Sequence, residues 1–251
     1  MMKKLFAMLL CVAMLTPFAV LAGETDKLIL GTNASFPPFE EIGDDGTPIG
    51  FDIALGQLVA DKLGKTLLIE DMSFDGLLLA LESGKIDMIA AAMTITPERQ
   101  AQADFSEPYF YAQQSIIVRK DYTEIGSLDD LHDKKVVVQE GTTGHEMATN
   151  EEKLALPADQ VTPFKNAGEA VLELKAGRAD CMIIDASPAT VFVSKNDDLM
   201  ILEGIEGISE EHYGLAVKKG NDKVLTAINE VLAEIMADGT YDELIAKYFS
   251  E

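Results

Sequence analysis

The sequence predicts an α/β protein of two similar lobes with a ligand cleft between them. Three observations lead there. Apolar strand-like runs alternate with helical stretches, the pattern of βαβ units and a mostly parallel sheet. The segment LESGKIDMIA (81–90) is echoed by LKAGRADCMI (174–183). A run Leu28–Leu30 followed by Gly31-Thr32 is matched by Val136–Val138, with Gly141-Thr142 shortly after.

The chain opens with Met1 to Lys4, carrying two lysines, and an uncharged apolar run from Leu5 to Ala22 that closes on Val-Leu-Ala. That pattern predicts a secretory signal, residues 1–22, cleaved near Ala22. A membrane anchor is the competing reading, but Pro17 interrupts the run and Gly23-Glu24-Thr25-Asp26 turns abruptly polar. Cys11 sits behind Leu10 rather than a small residue, which argues against lipid attachment.

Beyond Ala22, runs at Leu28–Gly31, Thr66–Glu70 and Asp87–Ala92 read as strands. Residues 51, 54, 55, 58, 59 and 63 place apolar side chains on one face of a helix from Phe51 that Gly64 stops. Phe74–Ser83 reads as a second helical stretch. In each echoed segment a helix ends, Gly84 or Gly177 supplies the left-handed residue, a basic residue meets the negative helix end, and an apolar run forms a strand. Lys223–Phe249 reads as two helices split at Gly239.

With 43 acidic against 20 basic residues the net charge is −23, and it becomes more negative once the lysines of the signal are removed. Such a balance excludes nucleic acid, whose phosphates need clustered Lys and Arg. Only Cys181 remains beyond the signal, inside Cys181-Met-Ile-Ile184, so no internal disulfide forms and the thiol reads as structural. His132, His145 and His212 are scattered without ligand spacing, so neither a metal nor a cofactor is expected.

Open α/β sheets bind ligands outside the carboxyl ends of their strands. That singles out Asn33–Phe39, Ala91–Arg99, Gln139–His145 and Asp185–Pro188. Thr96 is placed to cap a helix with Pro97 in its first turn, while the Thr94 hydroxyl and the Arg99 fork can donate to a carboxylate. Spacing alone leaves Arg99 either an anion site or a solvated helix residue. Asp185, at the matching strand end of the other half, reads as an ammonium partner or a helix cap. Phe36 and Phe51 stand open between cleft wall and core.

In order along the chain, GTNASFPPF (31–39), GFD (50–52), FDGL (74–77), GKID (84–87), TITPER (94–99), DFS (104–106) and GRAD (177–180) resemble the polar-amino-acid-binding proteins of bacterial ABC importers. That family includes the histidine, glutamine and lysine/arginine/ornithine binders. The resemblance implies the type II periplasmic-binding-protein fold, with lobe 1 discontinuous over 23–109 and 214–251, lobe 2 over 110–213, and two crossovers near Tyr109–Gln113 and Ser209–Gly214 forming a hinge.

The resemblance further implies that Arg99 binds an α-carboxylate, helped by the Thr142-Thr143 backbone, and that Asp185, the Ala92 carbonyl and the Thr94 hydroxyl take the α-ammonium. Phe36 and Phe51 are implied to sandwich the ligand's side chain. Asn33 stands where several members carry Asp, and Gln139 and Gly144 lie where members vary with their ligand. Implied too are a basic amino acid or glutamine as ligand, hinge closure, delivery to a membrane permease, a monomer, and a non-enzymatic role in the periplasm or extracytoplasmic space. A cyclohexadienyl-type dehydratase and an amino-acid sensor are the rival readings; Glu40, Glu140 and His145 are the nearest acid–base candidates and complete no evident constellation.

Overall fold

A computed structural model describes residues 26–250; the signal segment expected at 1–22 lies outside them. The first half runs β1 (Lys27–Thr32), the short strands β2 (Ser35–Phe36), β3 (Glu40–Ile42) and β4 (Pro48–Ile49), then α1 (Phe51–Leu63) and β5 (Thr66–Asp71). A 3₁₀ turn at Phe74–Gly76 leads into α2 (Leu77–Ser83), followed by β6 (Met88–Ile89), α3 (Pro97–Gln100) and β7 (Ala103–Phe105). The expected helix over 74–83 thus tightens in its first turn.

The second half runs β8 (Phe110–Arg119), β9 (Val136–Gln139), α4 (Thr143–Thr149), β10 (Val161–Phe164), α5 (Ala167–Lys175), β11 (Cys181–Asp185), α6 (Ala186–Ser194), β12 (Leu199–Ile201) and β13 (Glu210–Tyr213). The chain ends with β14 (Ala216–Lys218), α7 (Asp222–Asp238) and α8 (Thr240–Phe249). Gly239, at φ 88°, divides the last two helices as expected.

Two sheets share one plan. The first is ordered β5-β1-β6-β14-β7 and the second β10-β9-β11-β8-β12. β1 is parallel to β5 and β6, and β9 is parallel to β10 and β11. The remaining inner strand is antiparallel in each, β14 against β6 and β8 against β11. The echoed segments fall on α2–β6 and α5–β11, with Gly84 and Gly177 at φ 75° and 69°. β8 and β13 pair antiparallel from Gln113↔Glu210 to Phe110↔Tyr213, so the two crossings of the chain run side by side.

β1, β6, β9 and β11 carry the fully buried Leu28, Leu30, Met88, Val138 and Met182 that seat helices on the sheets. Cys181 is buried among them, and burial pushes its thiol up to about 12, consistent with an inert structural thiol. The strand expected over 87–92 pairs only at Met88–Ile89. Ala90 still donates to the Gly31 carbonyl, but at Ala92 the backbone turns to φ 46° and leaves the sheet. That departure carries residues 91–99 into the cleft.

Candidate functional site

Arg99 is fixed by its own segment. Thr96 caps α3 by accepting the Arg99 N–H at 3.2 Å, with Pro97 in the first turn. The guanidinium turns back, giving Nη1 to the Thr94 carbonyl at 2.8 Å and Nη2 to the Gly141 carbonyl of the other half at 3.1 Å. It lies over the Phe74 ring, 5.3 Å from the centroid. Arg99 is only 8% exposed, which excludes the solvated reading. Burial lowers its pKa while Glu211 and Asp185 oppose that shift.

Gly141 has φ 80°, and a Cβ there would stand 2.9 Å from the Asp75 Cβ, so the loop after β9 needs glycine to approach the first half this closely. Thr142 then caps α4 by accepting the His145 N–H. Thr143 follows, its hydroxyl donating to Glu211 Oε2 at 2.8 Å.

Asp185 ends β11 opposite Gln114 of β8. Its side chain does not cap α6; it accepts from the Tyr213 hydroxyl and the Gln114 amide. Burial raises its pKa to about 7, with Glu211 adding to the rise and the Tyr213 and Gln114 hydrogen bonds and Arg99 opposing it.

Asn33 and Gln139 meet across the cleft. Asn33 Nδ2 donates to the Met72 carbonyl at 2.7 Å, leaving its Oδ1 to accept from Ser35 and from Gln139 Nε2 at 2.8 Å. That order fixes the Gln139 amide, whose Oε1 is buried without a partner.

Every residue expected at the site except Phe51 lines one cavity between the halves: Asn33, Phe36, Ala92, Thr94, Arg99, Gln139, Thr142, Thr143 and Asp185. The cavity takes its lining from both halves, so an amino acid that fills it touches both. Phe51 is a correction. It is fully buried, stacked on Tyr109 at 6.0 Å and edge-on to Tyr241 and Phe249 at 5.6 Å. As the first residue of α1 it turns into the aromatic core, and Phe74 stands in the cavity instead.

Sequence reading missed the role of Glu40. It lines the cavity at 1% exposure, and its Oε2 has no partner. Burial, reinforced by Asp52, Asp71 and Asp185, holds its carboxyl well above the usual range. The position follows the FPPF turn directly, and that adjacency was the available signal. Glu211 was also missed: it accepts from Thr94 at 2.7 Å, Thr143 at 2.8 Å and Gln114 at 3.3 Å.

Among the described residues, no group of three or more His, Cys, Asp or Glu is placed to hold a metal. Among them, too, no helix is long and apolar enough to cross a membrane.

Residues 28–251 match the model of the bacterial extracellular solute-binding proteins, family 3. The L-cystine-binding protein TcyJ of Escherichia coli K12 is 33% identical over 227 residues, covering 90% of this chain and 84% of that protein. A crystal structure of the P235GK mutant of ArgBP from T. maritima superposes with a TM-score of 0.84 at 44% identity, covering 90% of this chain and 96% of that one. An ancestral arginine-binding protein bound to glutamine gives 0.82 at 44%, covering 90% and 98%. The two-lobed architecture is therefore the type II periplasmic-binding-protein fold.

Proposed function

The chain belongs to the bacterial extracellular solute-binding proteins, family 3, the amino-acid-capturing components of ABC importers, and we propose that its ligand is a basic L-amino acid, arginine foremost. One observation carries the choice: a single cavity is lined by one buried cation, Arg99, and two separate buried acids, Asp185 and Glu40. That is the complement of a molecule with one carboxylate and two cationic groups.

In this reading Arg99 takes the α-carboxylate with N–H donors left over from its two carbonyl contacts, helped by the amides at the start of α4. Asp185, the Ala92 carbonyl and the Thr94 hydroxyl take the α-ammonium. Glu40 Oε2 and Gln139 Oε1, both buried acceptors without donors, take a distal guanidinium, whose planar N–H set matches two acceptors. Phe36 and Phe74 flank the aliphatic stem. Asn33 acts through Gln139, because its own amide is already committed.

Capture closes the lobes about β8 and β13, since a ligand favours the closed form only by the contacts it gains there. The lobes are 23–109 with 214–251 and 110–213, and the mature, monomeric protein, cleaved near Ala22, delivers its ligand to a permease outside the cytoplasm. Binding rather than turnover is supported by the relatives, which are named as binding proteins. Thermal-shift screening against the twenty amino acids, ornithine and citrulline tests the ligand, because a ligand bound only to the native state raises its apparent stability. Arginine is expected to give the largest shift, and a larger shift with glutamine or cystine would remove the basic assignment.

A further inference from the structure

Asp52 sits in the first turn of α1, fully buried and outside the set of residues that line the cavity. Its Oδ2 accepts the Ala92 N–H at 2.8 Å, and the Tyr109 hydroxyl donates to both of its oxygens, at 2.8 and 2.7 Å. Ala92 does line the cavity, and at φ 46° it holds a left-handed conformation that a residue with a Cβ avoids. We propose that Asp52 is a positioning residue that locks the Ala92 peptide in this conformation, so that the Ala92 carbonyl is presented to the ligand's α-ammonium. The inference rests on the amino-acid reading above and adds to it the group that builds the ammonium site.

An unfavoured φ persists only where its surroundings over-determine it. Ala92 is tied on both sides. Upstream, the Ala90 N–H is held by the Gly31 carbonyl at 3.1 Å; downstream, the Met93 carbonyl accepts the Gly214 N–H at 3.0 Å. Between those anchors the Ala92 N–H needs one acceptor, and Asp52 is it.

Asp52 is itself kept from turning away. Tyr109 engages both oxygens, and Tyr109 is fixed by its N–H to the Tyr213 carbonyl at 3.0 Å and by the Tyr241 hydroxyl on its own carbonyl at 2.8 Å. Two oxygens on one side chain let Asp52 accept from the Ala92 N–H and the Tyr109 hydroxyl together.

The test compares each amino acid with its desamino analogue: L-arginine with 5-guanidinopentanoate, and L-glutamine with glutaramate, using whichever amino acid the wild type binds. The ratio of the two affinities reads the ammonium site alone. Asp52→Ala is expected to lower that ratio at least tenfold, and adding Ala92→Gly to recover at least threefold of the loss, since glycine takes φ 46° without a Cβ penalty. If Asp52→Ala does not fold, the isosteric Asp52→Asn, a weaker acceptor, is expected to lower the ratio about threefold by the same route. A folded variant that weakens both molecules equally, leaving the ratio unchanged, would overturn the positioning role while the amino-acid reading stands. A wild type that binds each amino acid no better than its desamino analogue would sink the reading itself.

Discussion

The Thr94 hydroxyl donates to Glu211 Oε2 at 2.7 Å, joining the loop after β6 to the second crossover strand. The same oxygen accepts from Thr143 of the other half at 2.8 Å, so one carboxylate ties the two walls of the cleft together. Glu211→Ala removes that tie. Small-angle scattering of the ligand-free variant should give a larger radius of gyration than wild type, and saturating ligand should restore the wild-type value. Equal ligand-free radii would show that Glu211 does not hold the lobes.

Arg99→Ala should reduce arginine affinity at least tenfold by titration calorimetry, because truncating one partner of a buried charged contact costs about 2 to 5 kcal/mol. Arg99→Lys should rescue little of it. An ammonium on a flexible stem cannot span the Thr94 and Gly141 carbonyls while covering the Phe74 ring as the planar guanidinium does. Wild-type affinity in the lysine variant would reduce the role of Arg99 to charge alone.

Much of this site was legible in the sequence because it depends on local chemistry. Thr96-Pro97 starts a helix, Thr142 caps one, and Gly84 and Gly177 end two, wherever the surrounding fold places them. Phe51 was not legible as core, since a phenylalanine beside a strand end has the same pattern whether it faces the cleft or the interior. Which way it points is decided by the entry angle of α1 and by Tyr241 and Phe249, almost two hundred residues away in sequence. Glu40 and Glu211 belong to the same class. Each has a glutamate beside it in sequence, and only tertiary packing buries Glu40 and sets Glu211 between Thr94 and Thr143.

Asp185→Asn should raise the ligand-free melting temperature at pH 8 and abolish arginine binding. The Asp185 carboxyl titrates near 7 in the folded chain against an ordinary 3.8. A folded pKa above the unfolded one means the native state binds more protons between those values, so this group's contribution to stability falls as pH rises from about 4 to 7. At pH 8 the buried group is mostly charged, which opposes folding; the amide removes that charge while keeping an acceptor for Gln114. Calorimetric melting of both proteins at pH 5 and pH 8 checks the sign: the variant's advantage should grow with pH. An advantage that shrinks with pH would mean Asp185 is stabilised in its charged form.

Arginine binding should release protons, and citrulline binding should release fewer. Burial, reinforced by Asp52, Asp71 and Asp185, pushes the Glu40 carboxyl well above its ordinary value. A guanidinium placed against Glu40 Oε2 favours the ionised form and pulls its pKa back down, which releases protons, while the uncharged urea of citrulline exerts no such pull. Asp185 contributes to release with both ligands, because both carry the α-ammonium, and the difference between them therefore isolates Glu40. Calorimetry in buffers of different ionisation heats measures the number directly. Arginine affinity should rise more steeply with pH than citrulline affinity, and Glu40→Gln should bring the two slopes together and lower the arginine-to-citrulline affinity ratio at least tenfold, about 1.4 kcal/mol. Equal proton release for the two ligands would place the distal cation elsewhere than on Glu40.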